Sequence, residues 1–166
     1  MFGIPVERAR WRQTLSYDVS PRLRLGVEWN PLDEDVGPLA NLRLLDETAW
    51  RPALVVGTSS ARIGSEEGRA FYATLSKDLQ RTFSLPLAPY AGITYDGSDD
   101  RWRAIGGLSV RYGDRVRSTH FYDGRNLHHL LDWAFHERFD AGVLLVDLDG
   151  ELYGGLRFGV SLGSAQ

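Results

Sequence analysis

The chain has no cysteine among its 166 residues, which excludes disulfide scaffolds, thiolate catalysis and cysteine-ligated zinc. Lysine is nearly absent too. Lys77 stands alone, and every other basic residue is an arginine, a side chain suited to fixed bidentate pairing in confined polar space. The net charge of −3 leaves no global field to draw in nucleic acid. No apolar run approaches the roughly 18–20 residues of a membrane-spanning helix. Met1 to Arg12 also lack the charged-then-apolar order of a secretory signal.

What the sequence has is alternation. Leu152, Gly154, Leu156, Phe158, Val160 and Leu162 fall in one phase, and Tyr153, Gly155, Arg157, Gly159 and Ser161 in the other. Leu23, Leu25, Val27 and Trp29 oppose Arg22, Arg24, Gly26 and Glu28 in the same way. So do Trp102, Ala104, Gly106, Leu108 and Val110 against Arg101, Arg103, Ile105, Gly107, Ser109 and Arg111. A period of two is the signature of strands. Turn chemistry separates the runs at Val19-Ser20-Pro21, Gly113-Asp114, Asp123-Gly124-Arg125-Asn126 and above all Asp149-Gly150, whose residues suit a two-residue hairpin. The spacing predicts eleven strands, at 9–18, 22–30, 39–46, 52–60, 69–78, 87–95, 101–112, 115–122, 127–136, 139–148 and 151–162. Asn41 to Leu45 would also suit the start of a helix. Links this short make neighbours antiparallel. The expected fold is therefore all-β: an antiparallel up-and-down meander of about 10–12 long strands, forming a closed or incomplete barrel in a single domain over residues 1–166, with 1–8 irregular.

Three features favour a membrane barrel over a soluble sheet. Most runs are longer than the usual 5–6 residues and approach the roughly 9–11 that a tilted membrane strand needs. The polar phase mixes Arg, Asp, Glu, Ser, Thr and Gly, as a lumen would. Aromatics gather toward strand ends at Trp11, Tyr17, Trp29, Tyr95, Trp102, Tyr112, Tyr122 and Trp133, where interfacial girdles lie. Loops are expected to alternate, short after odd-numbered strands and longer after the second, fourth and sixth, which puts the C-terminus in the periplasm. Because bacterial single-chain barrels have even strand counts, eleven strands imply at least one more before residue 9, with the signal peptide likewise outside this chain.

A soluble lipocalin-like barrel around an apolar ligand has the same alternation with its faces exchanged. Leu108, Leu156, Phe158 and Val160 decide between the two: they face outward in a membrane barrel and inward in a soluble one. His120 and His129, in phase with apolar neighbours, sit awkwardly with a lipid-facing surface.

Several segments then resemble porin-like bacterial outer-membrane proteins. They are Trp29-Asn30-Pro31-Leu32-Asp33, Asp35 to Asn41, Arg51 to Ser60, Ala73 to Leu79 and Leu87 to Gly92, about half the chain with the closing Leu156 to Leu162. Gly163-Ser164-Ala165-Gln166 follow in place of the terminal aromatic of such barrels. The resemblance implies an architecture and no catalytic residues.

Candidate chemistry is sparse. His128 and His129 point to opposite faces, and His128 and His136 lie about 26 Å apart along one strand, so no metal site is expected. Gly57-Thr58-Ser59-Ser60 lacks the lysine and helix of a phosphate loop. Glu66-Glu67-Gly68 and Asp96 to Asp100 match no calcium loop. A lipid-modifying enzyme would need a serine in hydrogen-bond contact with a histidine on the polar face. The constellation that stands out is the charged phase itself. Arg12, Arg24, Glu28, Arg103, Arg111, Arg117, Asp132 and Arg157 are the expected lumen-lining residues, with Asp18 and Asp78 in phase. They would interlock in a narrow barrel or line an aqueous path in a wide one. The expected protein is thus a non-enzymatic bacterial outer-membrane barrel, a passive pore or a component of envelope assembly or export. Its partners would be outer-membrane lipid and small polar solutes, with no cofactor and no nucleic acid.

Overall fold

A computed structural model describes residues 1–162; Gly163 to Gln166, including the expected departure from a terminal aromatic, lie outside the described residues. Eleven strands follow one another along the chain: β1 (Gln13–Ser20), β2 (Leu23–Asn30), β3 (Asp35–Leu45), β4 (Ala53–Ser60), β5 (Arg69–Ser76), β6 (Leu87–Asp96), β7 (Arg101–Tyr112), β8 (Val116–Tyr122), β9 (Leu127–His136), β10 (Phe139–Leu148) and β11 (Glu151–Val160). Two short helices, α1 (Glu7–Arg10) and α2 (Leu79–Phe83), flank β1 and β6. All strands form one sheet in sequence order, each antiparallel to the next. The all-β meander expected from the alternation is present.

The sheet curls. Phe2 N–H donates to Gly154 O of β11 at 2.8 Å, while Arg8 lies against Glu28 of β2. Six residues of chain span at most about 21 Å. In a flat sheet β2 and β11 would stand about 43 Å apart. One face is therefore enclosed, yet β1 and β11 do not pair with each other, and the sheet remains open along that seam.

Glycines on the enclosed face permit the curl. A Cβ at Gly57 would stand 2.6 Å from Tyr72 Oη, and one at Gly107 would stand 2.6 Å from the Tyr90 ring. In register, Tyr72 is directly opposite Gly57 and Tyr90 directly opposite Gly107. Each ring lies over its glycine and restores the packing that the missing side chain removes.

Two expectations at the strand ends need correction. Residues 9–12 are not strand: they complete α1 and lead into Gln13, whose partner Trp29 is next to the last residue of β2. β3 starts at Asp35 and not at residue 39, taking in Pro38. The proline is tolerated because β4 pairs with β3 only from Ala40 onward, which leaves that flank of Pro38 without a ladder bond to donate. The loop alternation fails as well. The end that carries residues 1–12, called proximal here, has connections at 31–34, 61–68, 97–100, 123–126 and 149–150. The distal end has 21–22, 46–52, 77–86, 113–115 and 137–138. Asp78 caps α2 by accepting from Gln80 N–H, so a helix occupies the 77–86 link, which begins two residues before the expected end of its strand.

Candidate functional site

Register places every apolar phase on the outer face. Leu156, Phe158 and Val160 of β11 are 58%, 77% and 61% exposed there, and half-buried Leu108 shares that side through its partner His120. Among the described residues only Ile4, Ala53, Ala61, Ala70 and Val146 are buried apolar side chains. The buried polar set is larger, and includes Arg8, Glu28, Asn30, Asp96 and His128. The enclosed face is thus the polar one, and it is the candidate site.

At the proximal end this face is filled. Residues 1–12 fold in across it, with Ile4 fully buried. Arg8, 4% exposed, donates from Nε to Ser65 O at 3.0 Å and from Nη2 to Arg62 O at 2.7 Å and Ala61 O at 3.2 Å. Its Nη1 lies 4.0 Å from Glu28 Oε1, and Arg12 Nη2 reaches Glu28 Oε2 at 2.5 Å. Asn30 Nδ2 donates to Glu28 Oε1 at 3.1 Å, so the buried carboxylate is met from three sides. Burial pulls the Arg8 guanidinium below its ordinary value, partly offset by Glu28.

Beside this group Asp96 stands between Arg62, at 3.5 Å, and Arg103, at 3.9 Å. It also accepts from the hydroxyl of Ser98 at 2.7 Å. Arg103 pairs with Asp99 as well, and Tyr95 donates to Asp100. The carboxylates of 96–100 are therefore committed to protein partners. Between the two strands at the next rim, Asp123 accepts from the N–H groups of Arg125 and Asn126 and meets His128 Nε2 at 3.0 Å. Burial would raise the Asp123 carboxyl, but the hydrogen bonds of His128 and the two amides outweigh it and hold the group below its ordinary value.

The distal half is more open. Arg24 makes a bidentate pair with Asp18 at 2.6 and 2.8 Å. Arg111 does the same with Asp78 at 3.1 and 2.8 Å, and that pairing, aided by Gln80 N–H, keeps the Asp78 carboxyl below the usual carboxylate range. Arg157 reaches Asp132 at 2.7 Å and also Asp140. It crosses β10 at Gly142, which lies between Asp132 and Arg157 in register; a Cβ there would stand 2.6 Å from the Asp132 carboxylate.

All eight residues expected to line the enclosed face lie on it or at its rim. Seven are drawn into ion pairs: Arg12 with Glu28, Arg24 with Asp18, Arg103 with Asp96 and Asp99, Arg111 with Asp78, and Arg157 with Asp132. The eighth, Arg117, stands opposite Arg111 on one side and Asp132 on the other with no ion pair among the described residues. Arg8 and Asp96 were not singled out in the sequence. Arg8 lay in a stretch read as irregular, and Asp96 in a loop cluster that matched no calcium loop.

The histidines separate as strand geometry demands. His128 faces the enclosed side and His129 the outer one. His129 meets His120 across the β8–β9 pair, Nδ1 to Nδ1 at 2.7 Å, so each shields the other's polar edge on an otherwise apolar surface. No serine contacts a histidine among the described hydrogen bonds; His136 Nδ1 accepts from Arg138 N–H. No group of three or more His, Asp or Glu able to hold a metal occurs among the described residues.

No protein-family model matches this chain, and no curated protein or solved structure matches it either, so the segments that resemble porin-like outer-membrane proteins find no counterpart in these comparisons.

Proposed function

We propose that the chain is the wall of a non-enzymatic bacterial outer-membrane β-barrel whose ion-paired polar face is a narrow lumen, serving envelope assembly or export in preference to wide passive diffusion. The observation that carries this reading is the inversion of the sheet: apolar residues face out and paired charges face in. Its dimensions agree. Trp102 and Tyr112 lie on the outer face of β7, ten residues apart. That is about 33 Å along a strand, or about 25 Å of height at a tilt of roughly 40°, the height of a barrel's apolar band. Trp29, Tyr95 and Trp102 ring the proximal end of the outer face, and Tyr17, Tyr112, Trp133 and Phe158 the distal end. The narrow form is favoured because seven of the eight lining charges are held in ion pairs and residues 1–12 fill the proximal mouth. Arg117, the charge left over at the open distal end, gives the distal mouth a preference for anionic solutes.

The test is reconstitution of the purified chain into vesicles containing brominated phospholipids. Outward tryptophans next to acyl chains lose fluorescence, and the chain resists carbonate extraction. Leu156→Glu with Phe158→Glu abolishes both effects. A chain that stays monodisperse in detergent-free buffer with unquenched tryptophans refutes the proposal.

A further inference from the structure

His120 and His129 stand directly opposite each other in the β8–β9 register, half-buried on the outer face, where the polar lumen makes no use of them. Leu108 of β7 lies beside His120, and Leu145 of β10 beside His129. The next outward pair toward the distal end is Ser118 with Leu131, and Ser118 gives its hydroxyl to Tyr112. The two imidazoles are therefore polar groups set into an apolar row. Mutual shielding makes them tolerable there, but two leucines would fill the same positions without the cost of a polar group on that face.

Their geometry is that of a chelate waiting for its ion. The ring centroids are 4.9 Å apart at 66°, and the two Nδ1 atoms meet at 2.7 Å. At such a contact one Nδ1 carries a hydrogen and the other offers its lone pair. Moving that hydrogen to Nε2 of its own ring leaves both rings neutral, with two lone pairs directed into the same small space. Imidazole nitrogens bind zinc at about 2.0–2.1 Å, so two of them on one ion stand about 2.9 Å apart at a right angle and about 3.3 Å apart at the tetrahedral angle. From 2.7 Å the nitrogens need to part by only about 0.2–0.6 Å, a side-chain rotation that leaves the strand register alone.

We infer that His120 and His129 form a binding site for one divalent transition-metal ion, held by the two Nδ1 atoms with water completing its coordination. The chain has no thiolate, and no third histidine or carboxylate joins the pair among the described residues. A donor set of imidazole nitrogens suits Cu2+, Ni2+ and Zn2+ over Mg2+ or Ca2+, and Cu2+ heads that order. Water has a short way in. β8 ends at Tyr122, two residues after His120, and β9 opens at Leu127, two residues before His129, so the pair lies about 7 Å from the proximal rim. The inference stands apart from the membrane reading, because the rim is wet whether the outer face meets lipid or water.

The test uses the full, tag-free chain in detergent micelles. With one equivalent of Cu2+, electron paramagnetic resonance is expected to show one bound ion with hyperfine coupling to two imidazole nitrogens. His120→Leu and His129→Leu, which suit the outer phase, should each abolish the two-nitrogen spectrum, while His136→Ala, at the distal turn, should leave it intact. The unaltered chain supplies a second reading that needs no variant to fold: on adding Zn2+, nitrogen-15 spectra should shift Nδ1 in two of the four histidines and leave the other two unmoved. A copper spectrum without imidazole nitrogens, an unchanged spectrum when both leucines are present, shifts at Nε2, or shifts at none of the four would each overturn the inference. Vesicle insertion is scored on separate samples, so a failed membrane reading and a failed metal site are told apart.

Discussion

Arg8 fastens residues 1–12 to the sheet, and replacing it with alanine should release that segment alone. The guanidinium is 4% exposed, donates to three carbonyls of the 61–68 connection and faces Glu28. Its removal takes the side-chain donor from all three, of which Arg62 O keeps the N–H of Ser65. Breaking a buried, hydrogen-bonded charge cluster typically costs about 3–5 kcal/mol. Glu28 keeps Arg12 and Asn30, so the lower end applies here, about 3 kcal/mol. At 1.4 kcal/mol per factor of ten, the docked state of residues 1–12 then weakens by about 100-fold. The assay is amide hydrogen exchange read by peptide mass spectrometry. Arg8→Ala should speed exchange over residues 1–12, including the Phe2 and Ala9 amides bonded to Gly154 O and Val6 O, and leave β6 to β10 unchanged. Arg8→Lys keeps the charge but not the planar fork and should fall between. Unchanged exchange in Arg8→Ala, or loss of protection spread evenly over the sheet, would refute the idea that this residue holds a separable plug.

Three further outcomes follow from the enclosed face. Gly57→Ala drives a Cβ to within 2.6 Å of Tyr72 Oη and should lower stability by about 1–3 kcal/mol in a urea titration, with part of the loss recovered when Tyr72→Ser is added. Asp123 has its folded-state carboxyl held low, so its contribution is present above the ordinary aspartate value near pH 4 and disappears as pH falls through the lower folded one. Asp123→Asn should therefore flatten the fall of the urea midpoint between about pH 5 and pH 2, and an unaltered acid limb would count against the contact with His128 and the two amides. The Arg157–Asp132 pair is half open to solvent on its arginine side, and a double-mutant cycle should return a coupling of only about 0.5–1 kcal/mol, shrinking in salt.

Strand order, number and most boundaries were legible because a period of two is a local property and the turns carry their own residues. Asp149-Gly150 marked its hairpin, with both residues at positive φ. What misled lay at the ends, where tertiary contacts decide. Residues 9–12 alternate well enough to read as strand, but Arg8 and Arg10 bond to loop and backbone carbonyls, and a helical turn results. β3 begins four residues before its expected start and takes in Pro38, because the staggered start of β4 leaves that flank free. Of the site, the polar phase gave the eight lining residues. It did not reveal that Arg24 would find Asp18 on the adjacent strand while Arg157 would reach two strands away to Asp132, since partner choice depends on register and on a glycine between. Arg8 was invisible for the same reason: nothing in Glu7-Arg8-Ala9-Arg10 distinguishes a plug from a solvated turn.

Alternation is symmetric between a water-filled and an apolar interior, and only bulk quantities break the symmetry. A compact soluble monomer of this mass exposes about 8,200 Å². This chain exposes 10,691 Å², and 34 large apolar side chains are exposed among its described residues. The excess, about 2,500 Å², is more than a whole standard protein interface buries. Exchanging the faces would put Leu156, Phe158, Val143 and Leu25 into the interior, and it would also put Glu28, Asp96 and Arg8 into water. There the ion pairs would be worth about 1 kcal/mol or less each and need no enclosure. Nothing in such a fold would require Gly142 to clear a path for Arg157, or Arg8 to satisfy three carbonyls away from solvent. Those arrangements suit a setting in which water is scarce on the polar side, and with the exposed apolar face they support the bilayer proposed above, in which both faces would be at low free energy together.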